Sequence, residues 1–557
     1  MENDPMAALD LFPDKAFYYP GEAARITVRV PPVEGLSRQG RIRLRLMFLA
    51  DEALAVEEEV ALDPGAPGEI HIPLPLPPED PRGYGVDAEL WDAEGKLLAQ
   101  GSTALDVLRR WTVAPRYGFL SDFPPNRPDI EEAMEALVRF HINGLQFYDW
   151  MYRHEDLLTE EDPYRDPLGR LLSWRTVDAL IEAAHRRNIV AMAYAAVYGA
   201  SVAFARTRPG WTLYGADGHP LRLGEDFLSI MDPRPSSLWA QHLLQELAEL
   251  MQVTRFDGIH LDQYGEPRTA WDAHGRLVDL ASAFPAFIER ASAVVRSIRP
   301  DATVVFNAVN NWPIEAVAQT PVDFLYIEVW PPHTTYSDLW RLIVGAQRLG
   351  GGKPVVLAAY IDPAWEVNVR LADAVIFASG GYHIELGERD RMLAGPYFPK
   401  HRPLSEDLRE VLRRYYDFAV RYENVLALGT RDSTDEGARR VLIDGINTDP
   451  EGACGKVWVI TRQGEGFETI SLINLVGIPR PEWNNLLRTA PTPLNELCVR
   501  YYTEREVKRV WLASPDFATP QALLLEFEPG QDARGNHIAF TVPRLEYWDL
   551  IVIEFAG

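Results

Sequence analysis

A chain of 557 residues is too long for one hydrophobic core, so roughly two to four domains are expected. Its 55 Lys and Arg stand against 81 Asp and Glu, a formal charge of -26 that argues against nucleic acid or an anionic membrane as partner and leaves a neutral ligand unaffected. Cys454 and Cys498 make neither a disulfide framework nor a zinc set, no apolar run is long enough to span a bilayer, and Met-Glu-Asn-Asp-Pro-Met at the start has no leader character.

From about residue 10 to 112, apolar and polar positions alternate in short runs between Pro and Gly, as in Ala-Arg-Ile-Thr-Val-Arg-Val (24–30) and Arg-Ile-Arg-Leu-Arg-Leu (41–46). The rhythm recurs at 70–76 and 86–90, and predicts an immunoglobulin-like β-sandwich over 1–112. Between 113 and 403, short apolar strands alternate with segments of helical period. The candidate strands are 117–119, 144–148, 190–194, 258–262, 304–307, 324–329, 355–359 and 375–378. Helices are predicted between them at 130–140, 174–187, 238–251 and 284–298. That pattern predicts a multidomain α/β protein with a central (β/α)8 barrel. A doubly wound open sheet is the alternative, but no Gly-rich phosphate loop follows the first strand. After 403 come a helix at 405–422 and strand runs at 457–461, 469–474, 510–512, 522–527, 538–542 and 550–555. Residues 404–557 are therefore expected to be a helix followed by a C-terminal β-sandwich.

In such a barrel, substrate binds at the C-terminal ends of the strands. Phe-Asp-Gly-Ile-His-Leu-Asp-Gln (256–263) begins apolar and finishes on His260, Asp262 and Gln263. By the period-two rule, Gly258, His260 and Asp262 share one face while Ile259 and Leu261 take the other. For this strand alone, Asp262 as a helix cap and His260 as a core histidine remain open. The strand Phe-Leu-Tyr-Ile-Glu-Val-Trp (324–330) repeats the pattern, with Tyr326, Glu328 and Trp330 on one side. Two inward carboxylates two strands apart suit glycosidic bond cleavage, one attacking the anomeric carbon and the other protonating the leaving oxygen. Polar and aromatic groups at other strand ends fit an uncharged, hydroxyl-rich ligand: Tyr148, Asp149 and Trp150; Tyr194; Asn307; His383 and Glu385. Together with His260, Gln263, Tyr326 and Trp330, these form the candidate substrate-binding set around the catalytic candidates Asp262 and Glu328.

The ordered motifs Pro-Arg-Tyr-Gly-Phe-Leu-Ser-Asp-Phe (115–123), Phe-Tyr-Asp-Trp-Met-Tyr-Arg-His (147–154), 256–263, Tyr-Ile-Glu-Val-Trp (326–330) and Gly-Gly-Tyr-His-Ile-Glu-Leu-Gly-Glu (380–388) resemble glycoside hydrolase family 66, the dextranases and cycloisomaltooligosaccharide glucanotransferases. The resemblance implies retaining cleavage of α-1,6-linked glucan, with Asp262 as nucleophile and Glu328 as acid/base; an endo-acting dextranase releasing isomaltooligosaccharides is the expected enzyme, with exo-action left open. Cyclising members carry a module inserted in the barrel, and no segment between the motifs here is long enough to hold one, so hydrolysis is favoured over cyclisation. The stretch 199–235, with Trp211 and Tyr214, is expected to shape the cleft. Family members are typically secreted, whereas no signal peptide is read here, which leaves localisation open. No cofactor and no metal are expected, and the protein is expected to act as a monomer. Two other readings stay open: a metal-dependent hydrolase using His260, Asp262, Glu328 and His383, and a glucan-binding protein without catalysis.

Overall fold

The structure, a computed structural model, describes residues 7–32, 39–61, 66–224 and 226–556; the initial six residues read above for a leader lie outside it. The chain folds as a multidomain, strand-rich protein. In the strand Gln39–Phe48, Ile42, Leu44 and Leu46 are fully buried, while Arg41, Arg43 and Arg45 on the other face pair with Glu57, Glu52 and Glu89. This strand belongs to a five-stranded sheet ordered Ala7–Ala8, Leu97–Val107, Arg82–Asp92, Gln39–Phe48 and Asp51–Ala61. A three-stranded sheet of Asp10–Pro13, Ala23–Val30 and Gly68–Pro75 contributes Leu11, Ile26 and Val28 to the same apolar cluster as Leu44, Val86 and Leu105.

The middle of the chain is built on parallel pairing. We number its strands β1 (Tyr117–Leu120), β2 (Gly144–Phe147), β3 (Val190–Ala196), β4 (Gly258–Asp262), β5 (Thr303–Phe306), β6 (Leu325–Glu328), β7 (Val355–Ala358) and β8 (Tyr382–His383). In one sheet β5, β4, β3, β2 and β1 are neighbours in that order, and β6, β7 and β8 form another. A parallel bridge between Asn307 and Tyr326 links β5 to β6, and Gly387 pairs in parallel with Phe119 of β1. Alternate residues face opposite ways: Ile259, Leu261, Ile327 and Leu357 join the cluster shared with the helices, whereas Tyr117, Met192, Val305, Tyr326, Val356 and Tyr382 pack on one another.

The eighth strand differs from expectation. Residues 375–378 lie in the helix Glu366–Ala378, and the chain reverses through Gly380, at φ +71°, into β8. The reason is burial on every side. Leu371, Ala372, Val375 and Ile376 are all fully buried, and a wholly buried helix has the same continuous apolar run as a buried strand.

The helix Glu406–Arg421 is capped by Ser405, whose hydroxyl accepts from the Leu408 amide. It packs on both the N-terminal sheet and the central helices. Arg421 makes a buried bidentate pair with Asp87 at 2.7 and 3.0 Å, and Asp417 accepts from Thr103 and pairs with His141. C-terminal strands follow in two sheets whose side chains, Val441, Val459, Val499, Val510, Phe540 and Ile551 among them, share one core. The predicted strand 522–527 divides into Leu523–Leu525 in one sheet and Phe527–Asp532 in the other.

Candidate active site

The site forms where β4, β5 and β6 end side by side. Glycine at 258 lets β4 and β5 approach closely, since a Cβ there would lie 2.2 Å from the Thr303 carbonyl oxygen. Beyond β5, Asn307 stands between the carboxylates of its neighbours. Its Nδ2 donates to Asp262 Oδ1 at 2.8 Å and to Glu328 Oε2 at 3.0 Å, so those two oxygens lie no farther apart than 5.8 Å, the sum of the two contacts. The N–H bonds of an amide diverge by about 120°, which places the oxygens about 5 Å apart. Tyr194 donates to Asp262 Oδ2 at 2.7 Å, and Tyr360 to Glu328 Oε1 at 3.0 Å. Asn307 Oδ1 is buried and has no hydrogen-bond partner.

The electrostatics separate the two acids. Burial pushes the Asp262 carboxyl up, and hydrogen bonds from Tyr194, Asn307 and the Gln263 amide pull it back. Burial also raises Glu328, and the charge of Asp262 beside it adds to the effect, taking it up to about 7 despite hydrogen bonding from Asn307, Tyr360 and Trp330. When one proton is shared between them, Glu328 holds it. Asp149 is also lifted by burial to about 7, against the pull of Arg170. Beneath the carboxylates, His260 meets the Tyr117 hydroxyl at 3.2 Å and is driven by burial down to about 3, so it is a neutral floor.

A cleft of about 390 Å³ surrounds the pair. Of the residues singled out from sequence, Tyr148, Asp149, Tyr194, His260, Gln263, Asn307, Tyr326 and Trp330 line it with Asp262 and Glu328. Trp150, His383 and Glu385 lie elsewhere. Asp149 has φ +50°, which breaks the strand alternation, so Tyr148 and Asp149 both reach the cleft while Trp150 turns into the core and donates to the Tyr194 carbonyl. His383 and Glu385 face the outer helices, because Tyr382 and Ile384 take the inward positions. Sequence reasoning missed Tyr198, Tyr264, Tyr360, Tyr397 and Phe398, all lining the cleft.

Among the described residues, one group of three metal-ligand types lies within 4.8 Å, Asp373, His383 and Glu385. His383 Nδ1 is 2.9 Å from Asp373 and 3.3 Å from Glu385, its Nε2 is 2.9 Å from the Ala359 carbonyl, and Tyr416 donates to Glu385. Although burial opposes the charge, the two carboxylates hold the imidazole protonated, up to about 10, which gives the trio an internal cation. The set His260, Asp262, Glu328 and His383 does not converge, since His260 is engaged with Tyr117 and His383 with Asp373.

Residues 13–552 match the sequence model of glycosyl hydrolase family 66. A cycloisomaltooligosaccharide glucanotransferase of Niallia circulans is 26% identical over 701 aligned positions, covering 98% of this chain and 71% of that protein. A dextranase of Streptococcus salivarius is 23% identical, covering 85% and 67%. A solved cycloisomaltooligosaccharide glucanotransferase of Paenibacillus sp., complexed with cycloisomaltoheptaose, shares the fold at a TM-score of 0.91 and 24% identity, covering 98% of this chain and 100% of its own. With the family match running through all the strands that carry the paired carboxylates, the chain belongs to glycosyl hydrolase family 66.

Proposed function

We propose that the protein is a retaining glycoside hydrolase that cuts internal α-1,6-glucosidic linkages of dextran, with Asp262 as nucleophile and Glu328 as general acid/base. The observation that carries it is the single amide joining the two acids. Carboxyls about 5 to 5.5 Å apart suit a covalent glycosyl-enzyme, whereas inversion needs roughly 6.5 Å or more to admit a water. The two oxygens bridged by Asn307, no farther apart than 5.8 Å, favour the former. Asp262, ionised, attacks the anomeric carbon while Glu328, protonated near neutral pH, gives its proton to the leaving oxygen. Glu328 then takes a proton from water as the intermediate breaks down.

The linkage preference rests on the relatives, a dextranase and glucanotransferases that form cyclic isomaltooligosaccharides. Hydrolysis is favoured over cyclisation because the 701-position alignment exceeds the 557-residue chain by 144, so at least that many positions of the glucanotransferase have no counterpart here. Endo-action is supported by cleft walls that reach solvent at Leu168, 45% exposed, and at Trp330, 37% exposed. For the architecture we propose a closed (β/α)8 barrel over 113–403, flanked by sandwiches over 1–112 and 404–557. The bridges from Asn307 to Tyr326 and from Gly387 to Phe119 would complete the ring.

The test is a 2-deoxy-2-fluoro isomaltosyl donor, with mass spectrometry of the trapped enzyme and anomer analysis of products from ordinary substrate. Sugar attached to Asp262 and a retained anomeric configuration are expected. Attachment elsewhere, an inverted product, or faster turnover of starch than dextran would each reject the assignment.

A further inference from the structure

Behind the cleft lie three ionisable side chains that bond cleavage does not use. Asp373, His383 and Glu385 are each at most 1% exposed. Charged groups taken out of water cost more than apolar side chains of similar volume, so filling space does not account for them. His383 Nδ1 faces Asp373 at 2.9 Å and Glu385 at 3.3 Å, and the Tyr416 hydroxyl donates to Glu385 at 3.0 Å. Asp373 stands on the helix Glu366–Ala378 and Tyr416 on the helix Glu406–Arg421, so two helices hold a ring that belongs to β8. The other nitrogen, Nε2, meets the Ala359 carbonyl at 2.9 Å. A carbonyl only accepts, so Nε2 carries a proton and donates, and the carboxylates on Nδ1 strengthen that bond by keeping the ring charged.

That one bond is where the network reaches the active site. The ladder between β7 and β8 runs as far as the Ile384 amide, which donates to the Leu357 carbonyl at 2.9 Å. The next carbonyl on that edge, two residues on, is that of Ala359, and there the imidazole takes the place of a backbone amide. On the opposite edge the Val329 amide donates to the Ala358 carbonyl at 3.0 Å. The chain is therefore pinned from both sides up to Tyr360, whose hydroxyl donates to Glu328 Oε1 at 3.0 Å. We propose that His383 is a positioning residue: it holds the Ala359 carbonyl so that the hydroxyl of the next residue, Tyr360, stays on Glu328. This rests on Glu328 being the acid/base. A hydrogen bond weakens steeply as its angle opens, so a loosened chain end costs Tyr360 this bond before it costs the ring its contacts with Trp330 and Phe398. Because the bond favours ionised Glu328, losing it leaves Glu328 protonated to higher pH.

The experiment follows kcat/KM of the full-length enzyme against pH for an isomaltooligosaccharide, because the position of each limb is independent of the fraction of active enzyme. His383→Phe keeps a ring and removes the donor. It should move the alkaline limb up by about half to one pH unit, no farther than Tyr360→Phe moves it, and leave the acid limb in place. Added to Tyr360→Phe, it should move the limb no farther, since the group it acts through is gone. His383→Gln, whose amide can donate to the same carbonyl, should leave the limb nearer wild type than His383→Phe does. An alkaline limb unmoved in His383→Phe, a second shift in the double variant, no restoration in His383→Gln, or equal movement of both limbs would overturn the proposal and leave cleavage by Asp262 and Glu328 standing. The wild type gives a reading that needs no variant to fold: heteronuclear NMR of the His383 ring should show a proton on Nε2 from pH ~5 to ~9, and an Nε2 without one would also overturn the proposal. Absence of cleavage by wild type would instead reject the glycosidase reading itself.

Discussion

Asn307→Ala should move both limbs of the pH profile together. One nitrogen donates to both carboxylates, at 2.8 and 3.0 Å, and each bond favours the ionised form of its acceptor. A hydrogen bond to a charged group contributes roughly 1.5 kcal/mol or more, and about 1.4 kcal/mol corresponds to one pKa unit. Loss of the amide should therefore raise both groups by about one unit, with water entering the gap offsetting any larger effect. For kcat/KM, the acid limb reports Asp262 losing its proton and the alkaline limb Glu328 losing its own. The whole bell should shift to higher pH by that amount. The two acids also lose their fixed spacing, so the rate at the new optimum should fall about 10²-fold. The measurement is kcat/KM for an isomaltooligosaccharide across both limbs. A profile that keeps its position, moves on one side alone, or shifts to lower pH would refute the reasoning.

Tyr360→Phe removes the 3.0 Å bond to Glu328 Oε1 and touches no bond of Asp262, so the alkaline limb alone should move up, and movement of the acid limb would contradict the assignment. Glu328→Gln should inactivate the enzyme towards dextran and stabilise it. The carboxyl is raised in the folded protein from its ordinary 4.5 to about 7, so the folded state binds more protons within that window and stability falls as pH rises through it. Above that window the buried charge costs about 3 kcal/mol. The melting temperature of the variant should exceed wild type at pH ~8 and match it at pH ~4; a gain at acid pH would be inconsistent. Asp87→Ala leaves Arg421 buried without its partner, which should cost roughly 3–5 kcal/mol in denaturant unfolding, and a loss under about 1 kcal/mol would show that the pair contributes little.

The two carboxylates were legible because strand parity needs only short-range information, and both 258–262 and 324–330 alternate cleanly. Parity fails where the backbone leaves the extended region. The left-handed Asp149 keeps its own side chain in the cleft but turns Trp150, expected there too, into the core. His383 and Glu385 were assigned inward from a strand that the sequence places at 375–378; in the structure a two-residue strand turns Tyr382 and Ile384 inward instead. Tyr360 follows an apolar strand whose pattern resembles plain core. Tyr397 and Phe398 lie far along the chain from any predicted strand end, and only the tertiary fold brings them to the cleft.

The helix Glu406–Arg421 has a consequence for recombination. Through Asp417 and Arg421 it is tied to Thr103 and Asp87 near the start of the chain; through Tyr416 it reaches Glu385, and through Tyr415 it reaches Asp516 near the end. A chimera joined at residue 112 would give two of these four contacts foreign partners, and one joined at 403 would do so for three. Crossovers between relatives should therefore be tolerated only when this helix and the strands around Asp87 and Thr103 come from the same parent.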